Sequence, residues 1–159
     1  MTNLQDLYQS IILDHNRRPQ NYGELPDATA VAAGRNPLCG DEVNVALRLA
    51  GDVVEEVRFT AQGCAVSRAS ASIMTTIVKG RTRDEVEELF TTFHDLVTGK
   101  SVEGISPTSR MAVFSGVSRF PMRVKCASMA WHTLKQALDS PVPPPSLDAP
   151  TSGGERLPQ

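Results

Sequence analysis

Three cysteines and one aspartate constrain the fold of this chain more than any other feature of its sequence. Cys39 and Asp41 are separated by one residue, whereas Cys64 and Cys126 lie much further along the chain. Three thiolates and one carboxylate complete a tetrahedral ligand set for zinc. If these residues share one ion, the fold must bring three distant segments together. An odd number of cysteines leaves one thiol unpaired, so a disulfide framework is the weaker interpretation.

Length and composition favour one ordinary globular domain of 159 residues, with 40% hydrophobic and 21% charged residues. A net charge of -2 argues against a general nucleic-acid-binding protein, because such proteins usually carry a basic surface. The first sixteen residues contain two aspartates and no long apolar run, so we expect neither a signal peptide nor a membrane span. Free thiols suit a reducing compartment, and the sequence therefore predicts a cytoplasmic protein without a membrane or nucleic-acid partner.

Hydrophobic periodicity predicts one helix followed by a β-hairpin in the first part of the chain. Apolar residues recur at helical spacing from Leu4 to Ile12, and a polar stretch from Gln20 to Pro37 is typical of an extended loop. Apolar and other residues then alternate from Val43 to Leu49. A turn at Gly51 and Asp52 precedes a returning strand from Val53 to Thr60, which indicates an antiparallel hairpin.

The remaining segments predict helices. A helix with many small residues is predicted from Cys64 to Val78. Another helix is predicted from a capping box at Thr82–Glu85 to Gly99. A short helical piece is expected around Met111 to Phe114, and a last helix follows the apolar stripe from Val124 to Leu138. We therefore predict an α+β fold, with a small, mostly antiparallel sheet, helices on one face and the metal site at one edge.

The chain divides, on composition, into a folded domain of residues 1–140 and a tail of residues 141–159. Six prolines fall among serine, glycine and threonine in the tail. Such a composition cannot bury a core, so the tail is expected to be disordered.

Two of the candidate ligands have an ordinary structural alternative. Asp41 could instead cap the turn at Gly40, and Cys64 could be a small buried hydrophobic residue. The predicted helix start at Cys64 favours a thiolate there, and Arg123 and Lys125 favour one at Cys126. The histidines, at positions 15, 94 and 132, are expected to be surface or structural residues.

Three motifs in order resemble the IscU/SufU/NifU-N superfamily of iron–sulfur assembly proteins. They are Asn36 to Asp41, Gly63 to Ser70 and Arg123 to Ala127. IscU-type scaffolds carry histidine immediately before the third cysteine, whereas this chain, like SufU-type proteins, carries Lys125. SufU-type proteins also contain an insertion between the second and third cysteines, and the stretch from Thr82 to Ser109 is long enough to hold one.

The resemblance to the SufU type implies a NifU-like fold and a zinc site of Cys39, Asp41, Cys64 and Cys126. It implies a zinc-dependent sulfurtransferase, in which Cys39 accepts persulfide sulfur from a SufS-type cysteine desulfurase and passes it to the SufBCD scaffold. It further implies that Arg123 orients the site or the partner. Pyridoxal phosphate would belong to the desulfurase.

Two other functions stay open on the sequence. An IscU-type scaffold would hold a transient iron–sulfur cluster on nearly the same ligands, because thiolates bind both zinc and iron–sulfur units. A structural zinc protein would use the metal only for folding energy. Lys125 and the long spacing between Cys64 and Cys126 argue against the scaffold.

Overall fold

A computed structural model of the chain describes residues 4–36, 40–100 and 110–139. Three sequence-based expectations fall wholly or partly outside these residues, namely the position of Cys39, the last part of the expected insertion from Thr82 to Ser109 and the character of the tail at 141–159. The division into a domain of residues 1–140 and a separate tail therefore stays a prediction.

Within the described part of the chain, the sheet consists of three antiparallel strands in the order β1-β2-β3, where β1 is Ala30–Asn36, β2 is Asp41–Ala50 and β3 is Val53–Gln62. The β2–β3 hairpin confirms the prediction from alternating apolar residues. Gly51 has a φ of 62° in its tight turn, a conformation that glycine adopts without steric cost. Buried valine, leucine and phenylalanine side chains on the two strands share the face of the sheet that the helices cover.

The prediction of a continuous loop from Gln20 to Pro37 was wrong, because its second half forms β1. The sequence of β1 is rich in alanine and lacks the alternation typical of a half-buried strand. The segment is held as a strand by its pairing with β2 and by the packing of a helix, Pro121–Asp139, against it. A Cβ at Gly34 would overlap the Thr133 side chain, so the absence of a side chain there lets a helix pack directly against β1.

Four α-helices among the described residues complete the fold and confirm the predicted α+β class. They are α1, Leu4–Arg17; α2, Ala65–Val78; α3, Arg83–Val97; and α4, Pro121–Asp139. The helices α2 and α4 pack against the sheet and against each other, α1 packs on α2, and α3 packs on α4. The predicted capping box at Thr82 is present, and the predicted short helical piece around Met111 to Phe114 is a 3₁₀ helix, Arg110–Phe114. No helix within the described ranges is both long enough and apolar enough to cross a membrane.

A cluster of aromatic rings lies between α3, α4 and the 3₁₀ helix. The indole of Trp131 stacks on Phe93 at 4.8 Å between ring centroids, and Phe114 meets Phe93 edge-on at 5.6 Å. All three side chains are almost completely buried. This aromatic cluster anchors the second half of α4, while the first half of α4 carries Cys126.

Candidate metal centre

The carboxylate of Asp41 lies buried at the end of the sheet where β2 begins. The register pairs Asp41 with Asn36 on β1, and the neighbouring Glu42 pairs with Gln62 at the end of β3. Asp41 is only 1% exposed, and its Oδ1 accepts a hydrogen bond of 2.8 Å from the backbone N–H of Cys64. This contact links the start of β2 to the start of α2 and meets part of the hydrogen-bonding demand of a buried carboxylate.

Cys64 is the N-cap residue of α2, as its predicted place at the strand-to-helix junction required. Its Sγ accepts a hydrogen bond from the backbone N–H of Ser67 at 3.4 Å, and its thiol lies 3.5 Å from Oδ2 of Asp41. The residue is exposed, so it is not the small buried hydrophobic residue of the alternative interpretation. An exposed sulfur at a helix N-terminus sits where the partial positive charge of the helix favours an anion.

Gly63 holds Cys64 and Asp41 together. Its φ of 126° lies in a region that L residues rarely adopt, and a Cβ at this position would overlap the Asp41 carboxylate. No role of its own was predicted for Gly63 from the sequence. Glycine directly before a helix-capping cysteine was the signal that could have indicated one.

Cys126 lies in the second turn of α4 and is only 5% exposed. Burial raises the pKa of its thiol, and hydrogen bonding to Asp41 and Cys64, together with their negative charge, raises it further. The expectation that Arg123 and Lys125 favour a thiolate here was therefore wrong for the metal-free protein. Both basic side chains are exposed, and desolvation of the sulfur outweighs them.

The three donor groups fit one metal ion. The ligand atoms of Asp41, Cys64 and Cys126 all lie within 4.8 Å of one another. In a tetrahedral zinc site, a sulfur and an oxygen ligand are separated by about 3.5 Å. The 3.5 Å between Cys64 Sγ and Asp41 Oδ2 matches this spacing. Two thiols and a carboxylate are also the donor types that zinc accepts. The fourth expected ligand, Cys39, lies outside the described residues.

Small residues hold the two helices of the centre close together. The hydroxyl of Ser70 on α2 donates a 2.5 Å hydrogen bond to the backbone carbonyl of Ala127 on α4. Both residues are completely buried. This bond lies next to Cys126 in sequence and fixes α4 against α2. The run of serine and alanine after Cys64 was the sequence signal for such close packing.

The guanidinium of Arg123 packs on an aromatic ring next to the centre. Arg123 is exposed one turn before Cys126, and its guanidinium lies 4.7 Å from the centroid of the Phe120 ring. Phe120 and Met122 are each 48% exposed, so an apolar and cationic surface borders the centre at the start of α4.

The histidines lie away from the three donor groups. Nδ1 of His15 lies 2.7 Å from the hydroxyl of Ser72, which also accepts a hydrogen bond from the backbone N–H of Gln20. These bonds fasten the end of α1 to α2, a structural role. His94 and His132 have ring centroids 6.4 Å apart on α3 and α4. Burial of its ring, aided by His94, lowers the pKa of His132.

Comparison with known proteins identifies the family. The family model of the NifU-like N-terminal domain matches residues 7–94. The chain is 37% identical over 136 residues to the zinc-dependent sulfurtransferase SufU of Bacillus subtilis, covering 86% of this chain and 92% of that protein. It is 33% identical over 138 residues to the iron–sulfur cluster assembly scaffold protein IscU of Streptococcus pyogenes, covering 87% and 86%.

A solved structure agrees with these relatives in sequence and fold. It is the crystal structure of a putative iron–sulfur cluster assembly scaffold protein for the SUF system from Fervidobacterium islandicum. The match has a TM-score of 0.75 and 33% identity, and covers 80% of this chain and 93% of that one. The chain therefore belongs to the NifU-like N-terminal domain family, among whose members are proteins named for iron–sulfur cluster assembly and for zinc-dependent sulfur transfer.

Proposed function

We propose that this protein is a zinc-dependent sulfurtransferase that acts in iron–sulfur cluster assembly in the cytoplasm. It would accept sulfur from a SufS-type cysteine desulfurase and relay it to the SufBCD scaffold. The observation that carries the proposal is the convergence of Asp41, Cys64 and Cys126 at one end of the sheet. The identity to a protein named zinc-dependent sulfurtransferase SufU supports it, and free thiols suit a reducing compartment.

In this proposal, Asp41, Cys64 and Cys126 hold zinc together with Cys39. Bound zinc would keep the thiolates deprotonated without oxidising them, because the ion has no redox chemistry. The buried carboxylate and the N-terminus of α2 orient the donors, and the Ser70–Ala127 hydrogen bond keeps the two helices at a fixed separation.

Cys39 is the proposed sulfur acceptor. Its thiolate would attack the outer sulfur of a cysteine persulfide on the desulfurase, so that a new S–S bond forms on Cys39. The S–S bond of the donor breaks, and its electron pair leaves with the inner sulfur of the donor, which becomes a thiolate. One persulfide is lost and one is gained, so the transfer needs no external oxidant or reductant. We propose Arg123 as a positioning residue for the partner, because its exposed guanidinium borders the centre.

An iron–sulfur scaffold is the second candidate, favoured by the 33% identity to a protein named as the IscU scaffold. Transient cluster binding would use the same thiols, because thiolates coordinate both zinc and iron–sulfur units. Resemblance to IscU-type scaffolds implies that Asp41→Ala should stabilise such a cluster. A stable cluster in that variant after anaerobic reconstitution would therefore favour the scaffold over the sulfurtransferase.

The deciding experiment measures alanine release from cysteine by a SufS-type desulfurase, with this protein added zinc-loaded and zinc-stripped. Strong stimulation by the zinc-loaded form alone is expected. Circular dichroism on the stripped sample distinguishes loss of function from loss of fold, and unfolding on zinc removal, with no stimulation by the zinc-loaded form, would indicate a structural zinc protein. No stimulation by either form contradicts the proposal.

The acceptor is tested by Cys39→Ala, which should abolish the stimulation and leave the fold intact. Ser115→Ala is a matched control, because Ser115 is exposed and lies outside the centre. Stimulation retained by Cys39→Ala would exclude Cys39 as the acceptor.

A further inference from the structure

The two edges of the sheet differ in how they are covered. Along the outer edge of β3, Phe59 exchanges backbone hydrogen bonds with the segment 21–23, and Val54 does so with the loop between α2 and α3. Along the outer edge of β1, no other strand or bridging segment pairs among the residues that the structure describes. Alternate residues of an antiparallel edge strand direct N–H and C=O groups outward, which makes such an edge a template for another strand.

A groove of about 550 Å³ runs beside β1, between this strand and the helices α3 and α4. Small residues such as Ala33 and Gly34 form its β1 side, so a backbone can approach the strand closely. The helix side mixes the apolar Val124 and Met129 with polar residues, and it extends from Gln136 to Lys125, the neighbour of Cys126. One end of the groove therefore reaches the candidate metal centre.

The charged side chains that line this groove are all basic among the described residues. Arg35 and Lys125 contribute cations, and His94 and His132 contribute imidazoles that can donate hydrogen bonds. Among the residues that the structure describes, no aspartate or glutamate lines the groove. Arg35 makes an ion pair of 3.4 Å with Glu42, but its side chain is 71% exposed. Exposed pairs of this kind contribute little, so the pair presents a small barrier to a competing carboxylate.

We propose that this groove binds an extended acidic segment of a partner protein, which adds to the outer edge of β1 as a fourth strand. The seven residues of β1 define a segment of similar length. Backbone pairing with the edge supplies affinity, and carboxylates placed against Arg35 and Lys125 supply selectivity. A second copy of this chain fits less well, because edge-to-edge pairing would bring two basic grooves together.

The proposal does not depend on sulfur transfer, because strand addition can be measured without any desulfurase. A bound segment that follows β1 to Asn36 would nevertheless end beside Asp41, with which Asn36 pairs. The groove would thus guide a partner to the candidate metal centre whatever chemistry occurs there.

The test uses the full chain and two synthetic eight-residue peptides, acetylated and amidated, one alternating valine with glutamate and one alternating valine with lysine. Binding is measured by NMR titration, and hydrogen exchange of the β1 amides is followed in the complex. We expect the glutamate peptide to bind at least about tenfold more tightly than the lysine peptide. Alternate amides between residues 30 and 36 should become protected.

Arg35→Glu should weaken binding of the glutamate peptide at least about tenfold and strengthen binding of the lysine peptide. This swap separates an electrostatic effect from a general loss of structure. Arg18→Glu is the matched control, because Arg18 is exposed and does not line the groove. It should change both affinities by less than about twofold.

Three results would overturn the proposal. One is equal affinity for the two peptides, and another is tight binding of a glutamate peptide whose backbone N–H groups are all methylated. The third is sedimentation of the chain alone as a dimer with its β1 amides already protected, which would assign the edge to a second copy.

Discussion

The two halves of α4 are built on opposite principles. Its second half carries Trp131 in an aromatic cluster with Phe93 and Phe114, both of which are almost completely buried. Its first half carries Cys126, whose neighbours are a buried carboxylate and an exposed thiol. Burial of the aromatic half away from water stabilises the fold. In the thiol half, Asp41 and Cys126 are polar groups buried away from water, where a cation would stabilise them. One helix thus separates the residues that hold the fold from those that give it chemistry.

Among these substitutions, Trp131→Ala in the aromatic half should cause the largest loss in the free energy of unfolding. Loss of the buried indole should reduce the free energy of unfolding by about 3–5 kcal/mol, because it leaves a cavity against Phe93. Urea denaturation monitored by circular dichroism measures the change. Zinc affinity of the molecules that remain folded should be unaltered. A large loss of zinc affinity in folded Trp131→Ala would show that the two halves of α4 are not independent.

Cys126→Ala should produce the reverse pattern. Replacing a metal donor should cost more than the roughly 10–100-fold in affinity typical of outer-shell changes, which corresponds to more than about 2.8 kcal/mol at the upper limit. Competition with a chromophoric chelator measures the zinc affinity. Without zinc, the unfolding curve should shift far less than that of Trp131→Ala, since only one small side chain is lost. Unchanged zinc affinity would remove Cys126 from the proposed ligand set.

Gly63→Ala tests whether backbone geometry alone maintains the thiol half. The new Cβ would meet the Asp41 carboxylate at a backbone φ that alanine adopts poorly. We expect a loss of about 1–3 kcal/mol in the free energy of unfolding and weaker zinc binding. The control is Gly51→Ala, which is strained in φ but has open space around its Cβ. Equal zinc affinity in the two variants would mean that the position of Asp41 does not depend on Gly63.

The smallest expected effect concerns His132 beside the aromatic cluster, whose ring meets Phe90 edge-on. Its pKa is lowered in the folded protein, so below about pH 6.5 the unfolded chain binds more protons than the folded chain. The protein should therefore lose stability as the pH falls from about 7.5 to about 5.5. His132→Gln should lose less over the same interval, as measured by urea denaturation. His15, whose pKa is also lowered, is present in both proteins and cancels in the difference.

The sequence predicted the parts of the molecule in which local pattern and tertiary structure agree. The hairpin, the capping box at Thr82 and the helix that begins after Cys64 each follow from periodicity or capping chemistry. The strand β1 could not be predicted in this way. Its residues are small because a helix lies directly on them. Small residues give no clear alternation of apolar and polar side chains, which is the pattern that predicts a strand.

The candidate site shows the same division. Motif order predicted that Asp41, Cys64 and Cys126 belong together, and the structure brings their donor atoms within 4.8 Å of one another. The raised pKa of Cys126 was not predictable, because sequence shows the neighbouring Arg123 and Lys125 but not the burial of the sulfur. The ligand role of Cys39 and the positioning role of Arg123 remain proposals.

The contact between Gly34 and Thr133 has a mechanical consequence for the metal centre. Thr133 lies seven positions after Cys126 on α4, which is about 10 Å along the helix axis. A methyl group at Gly34 would push against Thr133 and so against the second half of α4. If α4 moves away from the sheet at Thr133, the helix tilts. Its first half then shifts the Cys126 sulfur relative to Asp41, which lies in the sheet. The spacing of the donors is thus set partly by an absent side chain two helical turns away, and a substitution there could spoil metal binding without touching a ligand.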